Sequence, residues 1–144
     1  MANFLLKESY HINNLKISKF KDLWGSHGVF TTIRLVGKPG KLVLFNNHFI
    51  NLIKSLKKYK IYSKNIEEKI KALIRANIKN NFKYNHLFRI ALSKKLISIS
   101  IRKRLKLSNN FELKVLNYKR TDPKYKNLQY LSLIHISEPT RRLA

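Results

Sequence analysis

"HLFRIALSKKLISISIRKR", His86 to Arg104, is the stretch that decides the fold. From Leu96 onward Ile97, Ile99 and Ile101 alternate with Ser98, Ser100 and Arg102. Successive side chains of a strand point to opposite faces, so the isoleucines line a buried side and the serines and arginine the other. His86 to Leu92 reads as a strand as well, and Phe111, Leu113 and Val115 repeat the alternation after the turn residues Ser108-Asn109-Asn110.

Upstream the period changes. Ile66, Ile70, Leu73, Ile74 and Ile78 recur at helical spacing and predict a helix over roughly Ile66 to Lys79, with Asn65 and Glu68 placed as a capping box. Phe49, Leu52, Ile53 and Leu56 do the same over Asn47 to Lys60, with lysines on the outer face. Further back, Val29 to Val36 is rich in β-branched and aromatic residues, Gly37-Lys38-Pro39-Gly40 is a turn signal, and Lys41 to Phe45 returns as a second strand. The segment before Val29 reads as a polar entry. The order β-β-α-α-β-β-β predicts an α+β fold, an antiparallel sheet with two helices packed on one face.

With 144 residues the chain has the length of one domain. It has no cysteine, which excludes disulfides and thiolate metal sites. MANFLLKESYHINNLK is too polar for a signal peptide, and no apolar run approaches the roughly 20 residues of a membrane span, so no membrane is expected and the cytoplasm is the expected location. Lys+Arg number 31 against 7 Asp+Glu, a net charge of +24. Lysine greatly outnumbers arginine, accompanies abundant Asn, Ile, Tyr and Phe, all with A/T-rich codons, and runs along the whole chain. That spread reads as a solvated surface produced by base composition, and nucleic acid is not the expected partner. The histidines His11, His27, His48, His86 and His135 lack the i, i+4 spacing of a helical metal pair, carboxylates are too scarce for a paired acid and base, and no glycine-rich phosphate loop occurs. No metal site is expected, and His48 reads as a structural residue at a helix start.

Three stretches, over roughly residues 20 to 131, resemble the class IV aminotransferases, the pyridoxal-phosphate family of branched-chain and D-amino-acid aminotransferases and aminodeoxychorismate lyase. Ser26 to Arg34, "SHGVFTTIR", is similar to the family's G-D-G-V-F-E-T-I-R at six of nine positions. Leu44 to Leu52, "LFNNHFINL", resembles the passage ending D-E-H-L-x-R-L, and Arg120 to Leu131, "RTDPKYKNLQYL", resembles R-x-x-P followed by K-[ST]-x-N-Y-L. The resemblance implies the small N-terminal domain of a fold-type IV enzyme over residues 1–118, with 119–131 as the interdomain segment and the start of the cofactor domain. It implies pyridoxal 5'-phosphate as cofactor, an amino acid and a 2-oxo acid as substrates, and a homodimeric parent.

Lys126 would be the Schiff-base lysine, because only a neutral amine condenses with the cofactor aldehyde, and it would also shuttle the proton. Phe30 would be a pocket wall, and Arg34 and Arg89 substrate-pocket residues able to meet a carboxylate. Asn51 stands where the family has its phosphate-binding arginine, and so lacks the charge. Thr31 and His27 replace two family acids. Aminotransferase and lyase share the lysine, so both stay open.

The last residues change vocabulary. "LSLIHISEPTR", Leu131 to Arg141, resembles the conceptual translation of a sequencing-library adapter. The expectation is that 132–144 is a non-biological tail, that the reading frame is cut before the second domain, and that the fragment itself holds cofactor weakly and does not turn over. The competing reading is a basic nucleic-acid-binding module using Lys54, Lys57 and Lys58 on one helix face and the Arg102-Lys103-Arg104 run.

Overall fold

A computed structural model describes residues 4–104. The expected strand at Phe111 to Val115, the boundary at residue 118, the segment 119–131 with Lys126, and the tail 132–144 all lie outside the described residues.

The described chain is α+β: a six-stranded antiparallel sheet and two helices. In chain order the elements are β1 (Phe4–His11), β2 (Ile17–Ser18), β3 (Gly28–Gly37), β4 (Lys41–Leu42), α1 (Phe45–Lys58), α2 (Ile66–Asn77), β5 (Tyr84–Ser93) and β6 (Leu96–Lys103). The sheet order is β2-β1-β6-β5-β3-β4. β5 and β6 form a hairpin around Lys94 and Lys95, whose turn is closed by the Ser93 hydroxyl accepting from the Lys95 and Leu96 amides.

The alternation read in β6 holds. Ile97, Ile99 and Ile101 are buried with Phe88, Ile90 and Leu92 of β5 and Val29 and Leu35 of β3, and the apolar stripes of α1 (Phe49, Leu52, Leu56) and α2 (Ile70, Leu73) cover them. Both helices therefore pack on one sheet face. Glu67 and Glu68 in the first turn of α2, and Lys57 and Lys58 in the last turn of α1, complement the helix dipoles.

Four expectations are corrected. The entry segment is not a polar lead-in: Phe4–His11 is a full strand paired with β6, from Phe4↔Arg102 to His11↔Leu96. Its own alternation is blurred by a register shift between Phe4 and Leu6. The second strand of the hairpin stops at Leu42, because Leu44 adopts φ 54 and turns the chain into α1, whose first residue is Phe45. That helix consequently starts two residues before the expected Asn47. The capping box does not form, since Asn65 sits at φ 57 and makes no side-chain cap bond. Left-handed backbone turns its side chain away from the amides it would have to reach.

The end of α1 has a specific geometry. Lys60 takes φ 57, its amide donates to the Lys57 carbonyl, and the Ile61 amide reaches back to the Leu56 carbonyl at 2.9 Å. This is a Schellman closure, with buried Ile61 against buried Leu56 and a lysine where glycine is usual.

Candidate functional site

The sheet face away from the helices mixes polar and apolar side chains, and a loop reaches across one end of it. Ser9 of β1 and Ser98 of β6 are register partners, both buried, with hydroxyls 2.7 Å apart. Ser98 donates its single hydrogen to the Lys21 carbonyl at 2.7 Å, so Ser9 is the donor to Ser98, and the Lys21 amide donates to Ser9 at 3.0 Å. This latch fixes the segment 19–27 over the sheet. Leu23 then fills the space above Ala91, with Phe30 and Leu96 beside it. The Ser26 amide donates to the Leu23 carbonyl at 3.1 Å and Gly25 has φ 79, a turn that needs glycine at its third position and presents Trp24 at its second. At the far end His27 Nε2 donates to the Tyr59 carbonyl at 2.8 Å, tying the loop to the end of α1.

Arg89 lies under this loop. Its Nη1 donates to Asp22 Oδ1 at 3.3 Å, and its guanidinium carbon lies 5.1 Å from the Trp24 ring centre and 5.6 Å from that of Phe30. The side chain is 15% exposed. Burial pushes its pKa down, the charge and hydrogen bond of Asp22 push it up, and Arg102 pushes it down again. A guanidinium stays charged through such a change at ordinary pH. Its Nη2 is buried and has no hydrogen-bond partner among the described residues. A buried charged donor left unpaired is costly, and a carboxylate or phosphate oxygen is the acceptor that satisfies it best.

The structure thus brings together two of the residues read from the sequence, Phe30 and Arg89, on neighbouring strands. Arg34, two positions beyond Thr32 on β3, shares their face and is exposed. Asn51 is in the helical layer, exposed on α1, with its main-chain carbonyl accepting from Ser55 at 2.9 Å. His48, in the first turn of the same helix, has Nδ1 3.3 Å from Thr31 Oγ1, a strand-to-helix contact behind the sheet. Asp22, Trp24 and the two serines carry no site motif in the sequence. The available signal was Trp24-Gly25, the chain's one tryptophan beside a turn-forming glycine.

The fit to pyridoxal phosphate is partial. Asn51 supplies no charge for a phosphate, and Lys126 is outside the described residues. What the described residues do offer is a guanidinium between two aromatic rings, with one buried nitrogen that has no hydrogen-bond partner among them. Among these residues no group of three His, Asp or Glu could hold a metal, and no helix is long and apolar enough to cross a membrane. No family model, no curated protein and no solved structure matches this chain.

Proposed function

We propose that this chain carries the substrate-facing small domain of a class IV-like pyridoxal-phosphate enzyme, an amino-acid aminotransferase or related lyase, in which Arg89 receives a carboxylate of the amino acid or 2-oxo acid. The observation that carries it is the buried Nη2 of Arg89, aligned on the same face as Phe30 and lacking a protein acceptor among the described residues. Asp22 holds Nη1 through one contact, which leaves Nη2 for the substrate. Trp24 and Phe30 flank the group, exclude water from its faces and strengthen the charge-assisted bond. The amine chemistry of this reading belongs to Lys126, and the homodimer and the two substrates belong to it as well. Asn51 cannot ground the cofactor phosphate, so no step is routed through the cofactor.

Trp24 is the chain's one tryptophan and reports directly on this site. Titration with a 2-oxo acid should change its emission, whereas the corresponding methyl ester should not. Arg89→Gln should abolish the response and Lys54→Gln, on the helical layer, should leave it intact. Equal responses to acid and ester, or a full response in Arg89→Gln, would defeat the carboxylate reading.

A further inference from the structure

The rest of the same sheet face carries an arrangement that one carboxylate does not use. Strand register places Thr32, Arg89, Ser100 and Lys7 in one row across β3, β5, β6 and β1, and Arg34, Leu87, Arg102 and Phe4 in the next. Rows on one face are about 7 Å apart and neighbouring strands about 4.8 Å. Four cations, Lys7, Arg34, Arg89 and Arg102, therefore occupy two adjacent rows, and Asp22 is the one carboxylate set among them by the described residues.

Aromatic rings accompany the cations. The Lys7 ammonium lies 4.6 Å from the Phe4 ring centre and 5.4 Å from that of Phe20, and Arg89 lies between Trp24 and Phe30. Phe4 is 45% exposed and Trp24 39%. On the helical side the ring beneath Lys71 is Phe49, which is buried and has no face to offer. The helical layer offers one solvent-facing ring, Tyr62, beside Lys57 and Lys64, whereas the sheet face sets two, Phe4 and Trp24, beside four cations in strand register.

From this register we propose that the part of this sheet face that the described residues leave open beside the 19–27 segment binds single-stranded nucleic acid, with Lys7, Arg34 and Arg102 on successive phosphates and Trp24 and Phe4 stacking on unpaired bases. Cations along a backbone track, interleaved with rings, are the chemistry that single strands need, and every base has a face to stack. A duplex keeps its bases stacked on each other, so the rings contribute only to a single strand. The platform does not depend on the aminotransferase reading, and it uses a partner that the even spread of lysine along the sequence did not suggest.

The test uses the 144-residue chain and a labelled single-stranded oligonucleotide of about 16 nucleotides. Binding should quench Trp24, exceed binding to a duplex of the same length, and weaken with salt between about 50 and 200 mM. Each phosphate contact contributes about 0.7 to the log-log salt slope for single strands, so the triple variant Lys7→Gln, Arg34→Gln, Arg102→Gln should lower it by about 2. Trp24→Ala should weaken binding roughly tenfold, and Trp24→Phe, which keeps a ring, by less. The helix-face triple Lys54→Gln, Lys57→Gln, Lys58→Gln should leave quenching and preference unchanged. If the sheet-face triple melts early, exposed Lys7→Gln alone carries the test with a slope change of about 0.7.

Equal affinity for single strand, duplex and dextran sulfate without quenching overturns the proposal, as does a slope that responds to the helix-face triple and not to the sheet-face one. Arg89 is in neither triple, so loss of the 2-oxo acid response and loss of oligonucleotide binding are read separately.

Discussion

Asp22 meets Arg89 through one 3.3 Å contact at Nη1, although 67 residues separate them in the chain. The carboxylate is 47% exposed and the guanidinium 15%, so the pair is half solvated and screening limits its worth. Asp22→Asn should lower stability by no more than about 1 kcal/mol. Its larger effect should be positional: the loop loses its anchor on Arg89, and the Trp24 emission shifts toward that of an exposed indole. Chemical denaturation and emission spectra of the folded variant check the two parts separately.

Gly40 closes the turn between β3 and β4 against the aromatic end of the sheet. A Cβ there would stand 2.6 Å from Tyr84 Cδ2 and 2.8 Å from Ile78 Cγ2. The Tyr84 ring cannot swing aside, because it is buried and its hydroxyl accepts the Lys79 amide at 2.9 Å. Gly40→Ala should therefore destabilise by about 1–3 kcal/mol, the range for overpacking, as read from a urea midpoint.

Lys60 is the opposite case, a side chain in a backbone state that suits glycine. Its φ of 57 closes α1, and its amide reaches the Lys57 carbonyl at 3.2 Å without help from the side chain. Lys60→Gly should stabilise by roughly 0.5–1 kcal/mol, the relief of left-handed strain being partly offset by the added freedom of the unfolded chain. A lower urea midpoint for the variant would show that the lysine side chain contributes something the backbone geometry does not reveal.

His86 carries a pH dependence. Burial first, then the Lys103 charge across the strand pair, lowers its pKa from 6.5. A depressed histidine takes up its proton more readily when the chain is unfolded. Its contribution is therefore present above pH 6.5 and is lost as pH falls through the folded-state value. Subtracting the stability profile of His86→Asn from that of the wild type should leave a difference that is flat above pH 6.5 and declines below it. A difference that is flat throughout would refute the shift.

Secondary structure was legible in the sequence wherever one periodicity ran unbroken. The Ile97, Ile99, Ile101 alternation gave β6, and the stripes Phe49 to Leu56 and Ile70 to Leu73 gave the two helices and the face they bury. β1 was not legible, because the shift between Phe4 and Leu6 breaks its alternation and its partner lies 89 residues away at the Ser9–Ser98 pair. The Asn65 cap is a case where residue type misleads: Asn favours a cap, but the backbone takes φ 57 there and no side-chain cap bond forms.

Phe30 and Arg89 were each marked from the sequence, but not their meeting. Local side-chain spacing and turn chemistry, the interactions that a few neighbouring residues decide among themselves, determined the α+β elements and the polar side of β6. Tertiary structure alone decided that Asp22, Trp24 and Phe30 surround one guanidinium, and that Lys7, Arg34 and Arg102 flank it in two rows. Register between strands and the docking of a loop depend on contacts between residues far apart in the chain, and a period read along the chain holds no information about what lies across it.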